Sequence, residues 1–331
     1  MIALDANGAD RGPAAVGEGA RRAGTGVLLF GPAAQVGEAG GAVQVVDAPV
    51  AIRGGRDPVR AVRSTPDASI VQAARAVAEG RAEALVSAGS TGPTLAAATL
   101  QIKRLRGVHR PALAALVPSP AGRVLLLDCG ANVEVRSEHL VQFAYMGASF
   151  MEAVVGVERP RVGLLSVGEE QGKGTPQVIA AHDALAGGTL EFAGNVEGSD
   201  IPGAGADVIV TDGFTGNVAL KTMEGTSRTV TAAIGEAIRS GRLSSLGGLL
   251  IRAKVGGLRE QLDPETVGGA ILLGLRKPVV VGHGRFGPKG IESAVRLARR
   301  AVDEDMVART AAALAAAGAL RSAPAGSFAS Q

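Results

Sequence analysis

One repeating pattern constrains this chain more than any other: a short apolar run, a polar glycine-rich loop, then a stretch with helical spacing. The runs fall at residues 2–4, 27–30, 43–46, 84–86, 113–117, 124–127, 161–166, 190–192, 207–210 and 278–281. Their alternation with helical stretches predicts a largely parallel sheet flanked by helices. Several end in loops of similar make-up: LDANGAD at Asp5, SAGSTG at Ser87, LDCGANVE at Asp128, SVGEEQGKG at Gly168, GNVEGSD at Asn195 and DGFTGN at Asp212. Gathered at one sheet edge, they would line a single crevice, where open α/β sheets hold ligands. The 48 glycines and 2% aromatic content suit close helix-on-sheet packing through Ala, Val, Leu and Gly.

The most informative loop lies in IVTDGFTGNVALKTMEG, residues 209–225. Residues 208–210 read as a buried strand, 211–217 as a polar loop, and Val218 onward as helix. Gly213 and Gly216 would let backbone N–H groups approach a ligand, and Asn217 would stand near a helix N-terminus, which favours an anion. An ordinary strand-to-helix turn is the alternative.

Other features exclude function classes. The start of the chain has no basic and apolar leader pattern, which predicts a cytoplasmic protein, and no apolar run approaches the ~18 residues of a membrane span. One Tyr, no Trp and seven Phe supply few stacking platforms for nucleic acid, and a net charge of +3 does not demand it. Cys129 reads as buried filler, with no histidine near it in sequence. GHGRFG at 282–287 matches GxGxxG but is followed by helix to the terminus, without the second strand and acid of a dinucleotide unit. Residues 168–175 are only superficially a P-loop, Ser90 lacks a GxSxG elbow, and the histidines at 109, 139, 182 and 283 show no metal-ligand spacing, so neither metal nor cofactor is expected.

Helices are predicted over 69–78, 92–105 and 138–155, with Thr175–Pro176 opening another. Lys103, Arg104, Arg106, His109 and Arg110 form either a solvated helix end or a landing patch for an acidic protein. From 225 to about 262 the pattern is helical, and its amphipathic part at 246–262 suits subunit packing or an anionic membrane surface. We expect one α/β domain over 1–310 with this helical extension at about 225–262, then an Ala-rich end and a disordered tail over 311–331.

Taken together, VSAGSTG, RPAL, LLDCGANVE, EHLVQFAYMG, PRVGLLSVGEEQGKG, GNVEGSDI, DGFTGNVALKTMEG and GGAILLGL, in this order, resemble the acyl-[acyl-carrier-protein]:phosphate acyltransferases (PlsX) of bacterial phospholipid synthesis. The resemblance implies a three-layer α/β/α sandwich like the isocitrate/isopropylmalate dehydrogenases and phosphotransacetylases, dimerising through helices. It implies transfer of a long-chain acyl group from acyl-acyl-carrier protein to inorganic phosphate, without a cofactor. It further implies a homodimer in peripheral contact with an anionic membrane, handing acyl phosphate to a membrane glycerol-phosphate acyltransferase.

On that resemblance, Ser87, Gly89, Ser90, Thr91 and Gly92 would cradle phosphate together with Gly213 and Gly216. Lys173 would neutralise the phosphate and the developing oxyanion. Asn195 and Asn217 would bond the tetrahedral oxygen or orient phosphate, and His139 would either protonate the leaving sulfur or serve the start of its helix. Asp5, Asp128, Asn132 and Asp212 would support the loops, since carboxylates facing phosphate would repel it. The chain departs from the family pattern at Asn7–Asp10 (NGAD for MGGD), at Ser90 and Pro93, and at Ser64–Pro66, where a basic pair is missing. Two alternatives stand beside this reading: a phosphate acetyl- or butyryltransferase using coenzyme A thioesters, and a catalytically weak, membrane-associated scaffold for acyl-carrier protein.

Overall fold

The computed structural model describes residues 1–37, 40–119, 122–241, 247, 256–257 and 263–321. Its elements run β1 (Ile2–Asp5), α1 (Gly12–Arg22), β2 (Val27–Gly31), α2 (Ala33–Val36), β3 (Val43–Asp47), α3 (Pro58–Ser64), α4 (Ser69–Ala78), β4 (Ala84–Ser87), α5 (Thr91–Ala97), β5 (Ala112–Ser119), β6 (Gly122–Leu127) and α6 (Ser137–Phe150). Then follow β7 (Arg161–Leu165), α7 (Pro176–Ala186), β8 (Glu191–Val196), α8 (Asp200–Gly203), β9 (Val208–Val210), α9 (Gly213–Arg239), β10 (Ala270–Leu273), β11 (Val279–Val281), α10 (Pro288–Asp303) and α11 (Met306–Ala316). The strands form one 11-stranded sheet in the order β3-β2-β1-β4-β11-β10-β5-β6-β9-β7-β8. Pairing is parallel except where β10 meets β11 and β5, and where β5 meets β6.

Central strands such as β1, β4 and β9 are buried at every residue. That is why their sequences are continuous apolar runs: helices cover both faces, and neither face can be polar. One face packs a continuous core under α1, α6, α10 and α11, including Val16, Phe143, Ile291 and Leu314. The opposite face is divided. Leu85, Leu113 and Leu272 pack with α4 and α5, whereas Ala115, Leu126 and Ile209 pack with α8 and the base of α9. Ala270 of β10 touches both halves. The antiparallel strands β10 and β5 thus sit between two parallel halves, and the opening between the two cores lies over them.

Several expected boundaries moved. The helix expected over 92–105 is α5 continued by a single π-turn, Ala98–Ile102, and it stops at Lys103, where φ is +70°. The helix expected over 138–155 is α6 plus a π-turn at Met151–Val155, closed by left-handed Gly156. β8 extends to Val196, so Asn195 lies within a strand rather than in the loop after one. Helix α9 starts at Gly213 and not at Val218, because the Asp212 carboxylate caps it by accepting from the Phe214 and Thr215 N–H groups, each at 2.9 Å. β10 went unrecognised as a strand: four apolar residues behind two glycines carry too little periodicity. Most of the amphipathic stretch at 246–262, and the tail beyond Arg321, lie outside the described residues.

Candidate active site

The loops after β1 and β4 are locked together by a buried carboxylate. Asp5 accepts from the Ser69 hydroxyl at 2.6 Å, the Ser87 hydroxyl at 2.9 Å and the Asn7 N–H at 3.2 Å. Ser87 Oγ in turn accepts from the Gly89 N–H and the Thr94 hydroxyl, each at 3.1 Å. Burial pushes the Asp5 carboxyl up to about 6, against the lowering effect of these donors. Asn7 ties the same knot to the loop after β3 through Ala48 O at 2.9 Å. Gly8, at φ +85°, lies so close to Gly89 that a Cβ on it would sit 2.9 Å from the Gly89 Cα.

A second carboxylate organises the next loop. Asp128 Oδ1 accepts from the N–H groups of Leu113, Gly130 and Ala131, and Oδ2 accepts from the backbone and side chain of Asn132, both at 2.7 Å. Burial raises its pKa, opposed by these bonds. Helix α9 is seated directly on this loop. A Cβ at Gly216 would come 1.9 Å from Asp128 O, and one at Gly213 would come 2.7 Å from Asn132 O. These two glycines are where helix and loop touch.

Between the two locked regions lies a cavity of about 340 Å³. Its polar rim is Asp10 from the loop after β1, Gly89, Ser90 and Thr91 from the loop after β4, Asn217, Lys221 and Glu224 from α9, and His283 from the turn after β11. Its walls are apolar, among them Leu113, Leu116, Leu220, Val267, Ala270 and Phe286. Lys221 Nζ bonds both Glu224 oxygens, at 3.1 and 2.9 Å, so its charge is partly met on its own helix. Cys129 also lines the space, but its thiol donates to Leu126 O at 3.0 Å, and burial, with Asp128 adding to it, pushes its pKa far up.

Of the residues singled out from sequence, Gly89, Ser90, Thr91 and Asn217 meet at this cavity, while Ser87, Asp5, Asp128, Asn132 and Asp212 lie behind its walls as hydrogen-bonded supports. Gly92 borders Pro58. Lys173 and Asn195 do not line the cavity but belong to one another: Asn195 Nδ2 donates to Glu170 O at 2.8 Å and to Lys173 O at 3.4 Å, holding the loop after β7 over the end of β8. Asn195 Oδ1 and Ser166 Oγ are buried there without partners among the described residues.

His139 is buried at the start of α6, where Nδ1 accepts from the Arg136 N–H at 3.2 Å in a capping box. The fold also brings His109 and Glu138 to it, with one ligand atom of each residue within 4.8 Å of the others. Arg136, Arg110, Arg104 and Arg321 surround this trio electrostatically. Burial holds both histidines below their ordinary pKa, and cations crowding a site whose Nδ1 already faces an N–H donor leave it poorly suited to a metal ion.

Sequence reasoning missed His283, Asp10 and Glu224 as cavity residues. From sequence GHGRFG reads only as a nucleotide motif. Its position after β11, which runs parallel to β4 with Val281 opposite Ser87, puts it beside the Ser90 loop.

Comparison with known proteins agrees over most of the chain. A family model described as "Fatty acid synthesis protein" matches residues 1–309. Phosphate acyltransferase of Desulforudis audaxviator is 41% identical over 313 residues, covering 92% of this chain and 93% of that protein. The phosphate acyltransferase of Heliobacterium modesticaldum is 42% identical over 319 residues, with 93% and 95% covered. This chain belongs to the phosphate acyltransferase family. Among solved structures, a phosphotransacetylase from Streptococcus pyogenes superposes with a TM-score of 0.56 at 17% identity, covering 92% of this chain and 94% of that one. A branched-chain phosphotransacylase from Enterococcus faecalis gives 0.53 at 17%, covering 91% and 99%. These likenesses show the α/β/α fold that the family resemblance implied. Among the described residues no helix is long and apolar enough to cross a membrane.

Proposed function

We propose that this protein transfers a long-chain acyl group from the thioester of acyl-carrier protein to inorganic phosphate, giving acyl phosphate for phospholipid synthesis by direct phosphate attack. The observation that carries this reading is the cavity itself. A rim of backbone N–H, hydroxyl and amide groups, with Lys221 and His283 and the carboxylates of Asp10 and Glu224 beside them, meets an apolar wall, and among the described residues no activated protein nucleophile faces the space. Cys129 is held as a buried thiol, and among the described residues neither Ser90 nor Thr91 has a base on its hydroxyl. Phosphate needs no such nucleophile: it carries a reactive anionic oxygen at neutral pH, and thiolate leaves readily. Positioning and charge stabilisation are then sufficient.

Carrier protein has a candidate landing face. Lys103, Arg104, Arg106, Arg110, Arg276 and Lys277 are exposed, and none is in an ion pair with another described residue. They are tied into one surface by Arg276 N–H to Lys103 O at 3.0 Å and Arg276 Nε to Arg104 O at 3.2 Å. Arg110 is three residues from the cavity residue Leu113. We assign dimerisation to the exposed length of α9, and peripheral membrane contact and delivery to a membrane glycerol-phosphate acyltransferase to the region beyond it.

The deciding experiment is phosphate-dependent release of free carrier protein from palmitoyl-carrier protein, with palmitoyl-coenzyme A and acetyl-coenzyme A as comparison donors. Preference for the carrier thioester is expected. Equal or better use of acetyl-coenzyme A would move the protein to the coenzyme A-dependent class, and binding of carrier protein without turnover would make it a scaffold.

A further inference from the structure

The turn after β11 places an unused hydrogen-bond donor at the cavity. His283 lines it, and its Nδ1 accepts from the Arg285 backbone N–H at 3.2 Å. In the neutral ring the proton is therefore on Nε2. The ring rests against Phe286, with centroids 6.1 Å apart. The turn is pinned on both sides, by the Gly282 N–H to Ser87 O and the Asp10 N–H to Gly284 O, each at 2.8 Å. Among the described residues no protein group bonds Nε2.

Lys221, Glu224, Arg285 and Asp10 are the charged groups that act on this ring. Burial and then Lys221 hold its pKa below the ordinary histidine value, with Glu224 and Asp10 opposing, which keeps the ring neutral at neutral pH. A neutral imidazole does not surrender its remaining proton at such a pH. It does polarise a carbonyl oxygen as a hydrogen-bond donor.

We propose that His283 is an oxyanion donor of this site, its Nε2–H bonding the thioester carbonyl oxygen and binding it more strongly as charge develops there. The inference rests on the phosphorolysis reading above. A phosphate oxygen forms a bond to the carbonyl carbon as the C=O pair moves onto oxygen; collapse then breaks the C–S bond, and the pair leaves on sulfur. The hydrogen of hydrogen phosphate is lost to solvent and the thiolate takes one up, so the products are acyl phosphate and free thiol. His283 keeps its proton throughout.

The test is steady-state kinetics of the full-length protein with phosphate and either palmitoyl-carrier protein or palmitoyl-coenzyme A. His283→Ala is expected to lower kcat by about 10²–10³-fold, while KM for phosphate moves by less than about threefold. His283→Gln, whose amide nitrogen reaches the Nε2 position, recovers at least about tenfold of that loss, and His283→Asn, which mimics Nδ1, does not. The pH profile of kcat keeps its shape in the Gln variant. A kcat for His283→Ala within about threefold of the parent overturns the proposal. So does a decline in the parent's kcat as pH rises through the histidine range that vanishes in the Gln variant, since that would make His283 a proton donor. Thermal unfolding checks each variant's fold, and the Gln–Asn contrast decides if the Ala variant misfolds. Indifferent variants of an active parent overturn this inference alone; a parent that turns over neither donor overturns the phosphorolysis reading and this inference with it.

Discussion

Asp5 carries a pH consequence that unfolding can read. Its folded pKa is raised to about 6 from 3.8, so its contribution to stability is fully present below the unfolded value and is lost as pH rises through about 6. A shift of about two units corresponds to about 3 kcal/mol of differential stability. Asp5→Asn is therefore expected to flatten the loss of stability that the parent shows between pH 4 and 6, measured by urea unfolding across that window. An unchanged slope would mean that the carboxylate is better solvated than its neighbours suggest. Gly216 is the sharpest steric constraint. Its missing Cβ would lie 1.9 Å from a backbone oxygen, which no rotamer change relieves. Gly216→Ala should cost at least about 3 kcal/mol or prevent folding. Gly225→Ala, in the same helix with nothing within 4 Å, should be neutral or stabilising by up to about 1 kcal/mol. Similar unfolding midpoints for the two variants would refute the close seating of α9.

At the scale of elements, α9 does two jobs. Its first three turns press on the Asp128 loop and present Asn217 and Lys221 to the cavity. Farther along, residues including Val230 and Ile234 are about half exposed. At 27 residues the helix is about 40 Å long, far more than its seat requires. Asp212→Ala removes its cap and should lower stability by about 1 kcal/mol. On the proposed function, Asn217→Ala should leave stability nearly unchanged and depress kcat by at least about tenfold, since Asn217 lines the cavity and its amide bonds none of the supporting loops among the described residues. Comparing the two variants by calorimetry and turnover separates the helix's structural start from its chemical one. The loop after β7 offers a contrasting case. Lys173 lies outside the cavity walls in this single chain, so Lys173→Met depresses turnover only if that loop closes on substrate or a second subunit brings it in.

For the whole molecule, charge is unevenly spread although the net charge is only +3. The exposed cations around Arg104 and Arg276 form one surface joined through β5 to the cavity wall. Reversing Arg104, Arg106 and Arg110 to Glu should raise KM for palmitoyl-carrier protein by at least about tenfold and weaken its salt dependence, while KM for palmitoyl-coenzyme A changes less. Equal effects on the two donors would place carrier docking elsewhere. The halves of the molecule are joined by the antiparallel strands β10 and β5, and the cavity occupies the gap this arrangement leaves between two cores on one face. Short apolar runs ending in glycine-rich loops were enough to foretell the layers and the parallel sheet, because a strand covered on both sides must be apolar throughout. They also marked Ser90, Thr91 and Asn217, since polar residues at strand ends have nowhere else to go. Which loops meet was not legible. Strand order decides that, and order depends on long-range pairing that leaves no local pattern. Pairing of β11 beside β4 made His283 a cavity residue, just as β8's place at the sheet edge took Asn195 away. Seating α9 on the Asp128 loop turned Gly213 and Gly216 from presumed ligand contacts into packing contacts. The sequence by itself thus determined the fold class, the family and the chemical character of the loops. Only the tertiary structure decided which of those loops share a site, because that is a matter of distances between residues far apart in the chain.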